Sequence, residues 1–293
     1  MPCSAVTLSL ATITSIIAVA LLFIAFATDN WLYIDVKRTN IQNYLSKHSD
    51  AQSQAQLESL TSKYYYYTRT KGLFRICYPK ERPPTVKTYL SPVETHCNNI
   101  NYYLSDDNNE TRDFTDDAWA RLHMGRSMIA LFSLAFVAVF AALCTGVTGC
   151  WRRSPSNITA TAILMLLACL LSAGGMGLWH GVEYYEKEKV VGEEFYQQWS
   201  NILQENTEFM YDWSFVLGWL GVFSALGASF MFFFGSCCLS TEKEKEQLNN
   251  VQYIMPVYPQ KQQYAYAGYP VPAPQAYAGP YYTTGSAYGP YNY

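Results

Sequence analysis

Charge is scarce in this sequence, and its absence is concentrated. Only 15% of the 293 residues are Asp, Glu, Lys or Arg, and residues 5–27, 127–148, 158–179 and 213–234 contain none of the four. Each run is close to the ~20 apolar residues that cross ~30 Å of hydrocarbon. A core helix of a soluble protein usually keeps a polar face, so the pattern points to four membrane spans. No carboxylate or His falls inside a run, which argues against a proton relay. Catalytic signatures are missing as well: there is no His-Glu-x-x-His, no Gly-x-Ser-x-Gly and no Gly-rich phosphate loop. His48, His96, His123 and His180 are scattered without metal-ligand spacing, and with a net charge of −3 the basic residues form no cluster. No enzyme, cofactor, metal or nucleic-acid partner is expected.

What the chain does have is a long polar segment, 28–126, between the first two runs, and a shorter one, 180–212, between the last two. Of the 8 cysteines, Cys77 and Cys97 lie in the first segment, and the rest lie at or inside apolar runs. That division reads as one disulfide, Cys77–Cys97, in an oxidising compartment. Gly72-Leu73-Phe74 before Cys77 is compatible with a strand, as is the tyrosine run 64–67. The expectation is a small antiparallel sheet, stapled by the disulfide and carried by an all-α four-helix bundle. Residues 37–63 are rich in Gln, Ser and Asn and fit either a short helix or a mobile loop. In the second segment, Phe195, Tyr196, Trp199, Ile202 and Leu203 share one helical face, expected to pack on the sheet. Trp31, Trp119, Trp179 and Trp213 fall at helix ends, as an aromatic belt would require. Small residues recur every four positions at Ala173, Gly177 and Gly181 and at Gly221, Ala225 and Ser229. That spacing permits close helix approach, within the bundle or toward a partner.

Orientation follows from charge and from the disulfide. The connection 150–156 carries Arg152 and Arg153, whereas 180–212 is acidic, which places the short connection and both termini in the cytosol. The sheet then faces the cell exterior or the lumen of the endoplasmic reticulum. The first run ends in Ala25-Phe26-Ala27, a small-x-small pattern, but it is longer than a signal core and no basic residue precedes it, so it reads as a span. Asn109-Glu-Thr is the expected glycan site, while Asn157-Ile-Thr sits at the cytosolic mouth of the third span and is read as a chance match. Cys144, Cys150, Cys237 and Cys238 lie near cytosolic helix ends. They are candidates for palmitoylation, with plain juxtamembrane thiols as the alternative. Cys169 is expected to pack as a small apolar residue. Residues 241–293 turn Tyr/Pro/Gly-rich and read as a disordered cytosolic tail. Its end, Tyr291-Asn-Tyr293, is compatible with strand addition to a PDZ domain.

Trp31, Gly72-Leu73-Phe74-x-x-Cys77 and Cys97 together resemble the signature of the claudin, peripheral-myelin-protein and calcium-channel γ-subunit superfamily. The chain departs from it in having Phe74 at the usual Trp and a long spacer between the cysteines, which points away from a barrier-forming claudin. The spacer, together with Ile100, Tyr102 and Ser105, a following sequon and Asp117-Ala-Trp119, resembles the transmembrane protein 178 branch. Tyr211-x-Trp213-Ser214 resembles the start of the fourth span in that branch and in γ-subunits. The resemblance covers residues 5–240. It implies a claudin-like bundle under a sheet built by both outer segments. For function it implies non-enzymatic regulation of a channel, receptor or calcium-handling partner by lateral contacts, with cell–cell adhesion as the alternative. Partners would be the lipid bilayer, that channel, receptor or calcium sensor, and a further copy of the chain. The plasma membrane is the expected location, with the endoplasmic reticulum as the other option. Tetraspanins are disfavoured, because their large loop lies between the third and fourth spans.

Overall fold

Each apolar run becomes one long helix, and both polar segments fold at the same end of the bundle. The computed structural model describes residues 3–48, 50–103 and 114–254. Ser105, the Asn109 sequon and the segment from residue 255 lie outside the described residues. The chain divides into one unit over Met1–Asn249 and a second over Asn250–Tyr293. In chain order the elements are α1 (Cys3–Ala27), β1 (Leu32–Val36), α2 (Arg38–Lys47), α3 (Ala51–Ser62), β2 (Arg69–Lys71), β3 (Arg75–Tyr78), β4 (Tyr89–Leu90), β5 (His96–Asn99), α4 (Asp116–Arg152), α5 (Pro155–Glu188), α6 (Asn201–Glu205), β6 (Thr207–Tyr211) and α7 (Trp213–Ile254).

Helices α1, α4, α5 and α7 are long and apolar enough to cross a membrane. Three of them outrun their apolar stretches. The start of α4 lies about three turns before residue 127. There Thr115 accepts the Ala118 N–H at 3.3 Å, and Asp116 and Asp117 oppose the helix dipole. At its other end Arg153 takes a left-handed conformation, φ 48°, and Pro155 opens α5 at once, where its missing N–H costs nothing. So short a connection makes α4 and α5 antiparallel neighbours. Helix α7 continues past Ser240 through Glu242–Glu246, so the expected tail begins as helix. Glu and Lys favour that continuation, and Glu242 accepts from the Ser4 N–H and hydroxyl.

The sheet is antiparallel, in the order β4-β5-β3-β2-β1-β6. β1 follows α1 and β6 precedes α7, and they pair along their whole length from Leu32↔Tyr211 to Val36↔Thr207. Both outer segments therefore build one sheet, as expected. Because β1 leaves α1 directly, the Val36 end of the sheet is membrane-distal, and α2 and α3 sit beyond it. That settles the open reading of 37–63 as helical: Ile41, Leu45 and Leu60 are buried in the main core.

Several local expectations change. Tyr64–Tyr66 form a 3-10 turn rather than a strand, with Tyr66 and Tyr67 buried. Gly72-Leu73-Phe74 is the turn between β2 and β3, closed by the Gly72 N–H donating to Arg75 O at 2.8 Å. Residues 195–203 are not one helix: a 3-10 turn, Tyr196–Gln198, and α6 are separated at Trp199 and Ser200. Their apolar side chains pack on the sheet all the same, with Trp199 stacked on Phe209 at 6.2 Å and Leu203 fully buried. The aromatic belt is corrected too. Trp31 and Trp179 are 0% and 2% exposed and belong to the core, so of the four expected belt residues Trp119 and Trp213 alone present surface to an interface.

The Gly221/Ala225/Ser229 face is internal. A Cβ at Gly221 would stand 2.8 Å from Leu22 Cγ and 3.1 Å from the Leu22 backbone nitrogen, Ala225 is fully buried, and Ser229 donates to Ala162 O at 2.9 Å.

Candidate functional site: the stapled sheet and the buried junction beneath it

Trp31 sits where α1 gives way to β1, and it holds three spans together. Its indole N–H donates to Ala25 O at 2.7 Å, capping the end of α1. The ring lies 5.1 Å from Trp179 on α5, 6.0 Å from Phe132 on α4 and 6.3 Å from Phe215 on α7. The α7 side of the same junction is tied by polar contacts. Ser214 N–H donates to Asn30 O at 3.1 Å, the Ser214 and Thr28 hydroxyls meet at 2.8 Å, and Asn30 Nδ2 donates to Asp212 Oδ2 at 2.9 Å. Motif residues separated widely in sequence thus form one joint.

Gly72 is required by a close approach. A Cβ there would fall 2.5 Å from the Asp29 Cα, closer than any side chain tolerates. The turn it permits points Phe74 into the bundle, edge-on to Phe26 at 5.0 Å, and buries Leu73 completely. Phe74 does the packing expected of the usual Trp without presenting an indole N–H. Leu73 O accepts from the Tyr102 hydroxyl at 2.7 Å, and Tyr102 O accepts from Arg126 Nε at 2.8 Å, so Arg126 ties α4 to the segment that follows β5. Burial pushes the Tyr102 phenol up to about 12. Cys77 and Cys97 stand directly opposite each other on β3 and β5 and are joined as a disulfide. Tyr211 and Trp213 are partly exposed at the α7 edge. The Tyr211 ring stacks on Phe215 at 4.3 Å, and its hydroxyl donates to Glu183 Oε2 at 2.7 Å.

Beneath the sheet lies a set of charges that the sequence reading missed. Lys71 on β2 and Arg121 on α4 both bind Glu186 on α5, Arg121 at 2.9 Å. Arg69 is buried beside them and donates to the carbonyl oxygens of Tyr65 and Tyr67 at 3.0 and 3.2 Å. Burial pushes Lys71 down against the pull of Glu186, and pushes Arg69 down as well. These residues border a cavity of about 150 Å3 between the sheet and the outer ends of α4 and α5. The available signal was the continuation of helix beyond the apolar runs, which carries Arg121 and Glu186 out to the sheet.

At the opposite end of the bundle, Cys144, Cys150 and Cys237 are exposed free thiols, and Cys169 is buried as expected. Cys238 is disulfide-bonded, which removes it from the candidates for an acyl chain, since one sulfur cannot form both bonds. Among the described residues, no group of three or more His, Cys, Asp or Glu could hold a metal.

A four-span bundle under a disulfide-stapled sheet built from both long polar segments defines a multi-pass membrane protein whose sheet domain is fixed by its spans. The family model for the PMP-22/EMP/MP20/claudin tight-junction proteins matches residues 16–234, well over half of the chain, and the chain belongs to that family. No curated protein matches the chain. Membership of this family points to a non-enzymatic protein.

Proposed function

We propose that the protein regulates a channel, receptor or calcium-handling partner by lateral contact within one membrane. The observation that carries this reading is a stripe on α5. Ile163, Leu167, Leu170, Gly174 and Gly177 follow helical spacing and all face outward, and a Cβ at Gly177 would meet nothing within 4 Å. An apolar stripe ending at the open Gly177 lets another helix approach the backbone there, which is how spans associate where lipid supplies no hydrophobic drive. The disulfide separation of 20 residues and the Tyr211, Trp213 and Ser214 joint support kinship with the transmembrane protein 178 branch over barrier-forming claudins. In this reading the sheet faces the exterior or the lumen, both termini are cytosolic, and the plasma membrane is the site of action. Asn109 carries a glycan, and Cys144, Cys150 and Cys237 accept acyl chains.

One observation favours the adhesion reading. Leu90 and Val93, at the membrane-distal end of the free β4 edge, are 62% and 81% exposed. Apolar side chains there suit contact with a protein on a facing membrane.

Gly177→Leu separates the two readings. It should leave folding and surface level normal, because the space is open, and weaken co-purification of the crosslinked membrane partner by about tenfold, the effect of ~1.4 kcal/mol. Ala225→Leu should instead destabilise the protein itself by ~1–3 kcal/mol through overpacking. Unchanged co-purification in Gly177→Leu, with clustering of non-adherent cells that requires Leu90 and Val93, would establish adhesion instead.

A further inference from the structure

The cavity beneath the sheet carries one more cation than carboxylates. Its lining carries four cations, Arg69, Lys71, Arg121 and Lys187, against three carboxylates, Glu183, Glu186 and Glu194. Each carboxylate is engaged: Glu183 by Lys187 at 2.7 Å, Glu186 by Lys71 and Arg121, and Glu194 by the Tyr64 hydroxyl. Arg69, only 7% exposed, forms no ion pair among the described residues; it donates to two carbonyl oxygens and lies over the Trp199 ring, 5.8 Å from its centroid. Two further lining residues, Trp179 and Trp199, are 2% and 6% exposed, and their indole N–H groups have no acceptor; Arg121 Nε is in the same position.

An unpaired buried donor costs free energy unless an acceptor reaches it, and an unpaired buried cation costs more. A water molecule would accept from an indole and donate to a remaining carboxylate lone pair, but it would leave the surplus charge in place. An anion accepts, donates nothing and cancels the surplus charge. We propose that this cavity binds a small monovalent anion, a halide or a small carboxylate, between the Arg69 guanidinium and the Trp179 and Trp199 indoles. A volume of about 150 Å3 admits such an ion with a few waters. The site joins β2, α4 and α5, so its occupancy would set how firmly the sheet is seated on the bundle.

The test uses the purified full-length protein in detergent, titrated with sodium chloride, bromide, formate or acetate against sodium gluconate at constant ionic strength. Thermal unfolding followed by tryptophan fluorescence should rise saturably with the small anions and not with gluconate. A stronger response to chloride and bromide assigns a halide site, and a stronger response to formate or acetate assigns a carboxylate site. Trp179→Phe and Trp199→Phe keep an aromatic ring and remove one donor each, so each should raise the half-saturating concentration by about tenfold. If either variant fails to fold, 35Cl line broadening by the wild-type protein, reversed by bromide or formate, gives the direct reading. Absence of any saturable response means the cavity holds water alone and overturns the proposal. An unchanged half-saturation in both folded variants overturns it equally.

Discussion

Asp29 precedes β1 and Asp35 lies near its end, and their surroundings move them in opposite directions. Burial raises the Asp29 carboxyl despite Arg75 at 2.6 Å, whereas the hydrogen bond from Lys80 at 2.8 Å lowers Asp35. A carboxyl depressed in the folded state contributes stability above its unfolded value, about pH 3.9, and loses it as pH falls through the folded value. Lys80 is more than half exposed, so the pair is screened and contributes only ~0.2–1 kcal/mol. Asp35→Asn should therefore lower the unfolding midpoint slightly at pH 7, and the difference from wild type should shrink as pH falls through the lowered folded-state value and vanish below it. A difference that persists in acid would show that the Thr68 hydroxyl contact to Asp35, at 3.1 Å, carries the effect rather than the charge. Neither aspartate was visible as special in the sequence, because each depends on a partner placed by strand pairing.

At the scale of elements, β3 and β5 are the pair that the disulfide locks, and β4 hangs from β5 as a two-residue edge. Such short strands hold their register weakly without help. Closing a loop of about 20 residues should stabilise the fold by roughly 3 kcal/mol in the chain-entropy picture. Cys77→Ser and Cys97→Ser should each cause retention and loss of the mature protein, and the double substitution should be no worse than either one. Normal maturation of both single variants would mean that the Trp31 joint and the β1–β6 pairing seat the sheet without the staple. The Cys77 and Cys97 pairing was legible from cysteine placement alone. The strand boundaries were not: Gly72-Leu73-Phe74 is a turn because β2 and β3 must reverse against Asp29, a tertiary constraint without local signature.

For the whole molecule, the bundle and the two-loop sheet agree with a chain that threads the membrane four times. The proposed orientation makes a sharp forecast. Enzymatic deglycosylation should shift the band of the wild-type protein, Asn109→Gln should abolish that shift, and Asn157→Gln should leave it intact. A glycan on Asn157 would invert the molecule and place the sheet in the cytosol. The lateral and adhesive readings also divide at this scale. The first uses the outward stripe of α5 along the membrane plane, and the second uses the distal tip at Leu90 and Val93.

The spans were determined by the sequence alone, because a hydrocarbon environment requires every backbone group of a crossing segment to be satisfied within a helix, and only long uncharged runs can do that. The staple and the family signature were equally legible, since a few residues at fixed places carry them. Tertiary structure decided which small-residue faces are used up. Gly221, Ala225 and Gly177 look alike along the chain, yet the first two are filled by neighbouring helices and the third faces outward. It also decided that Trp31 and Trp179 pack inside rather than form a belt, and that Arg69, Lys71, Arg121 and Glu186 meet under the sheet. Periodicity says which side a residue lies on, but only the packing of four helices and a sheet says what that side touches.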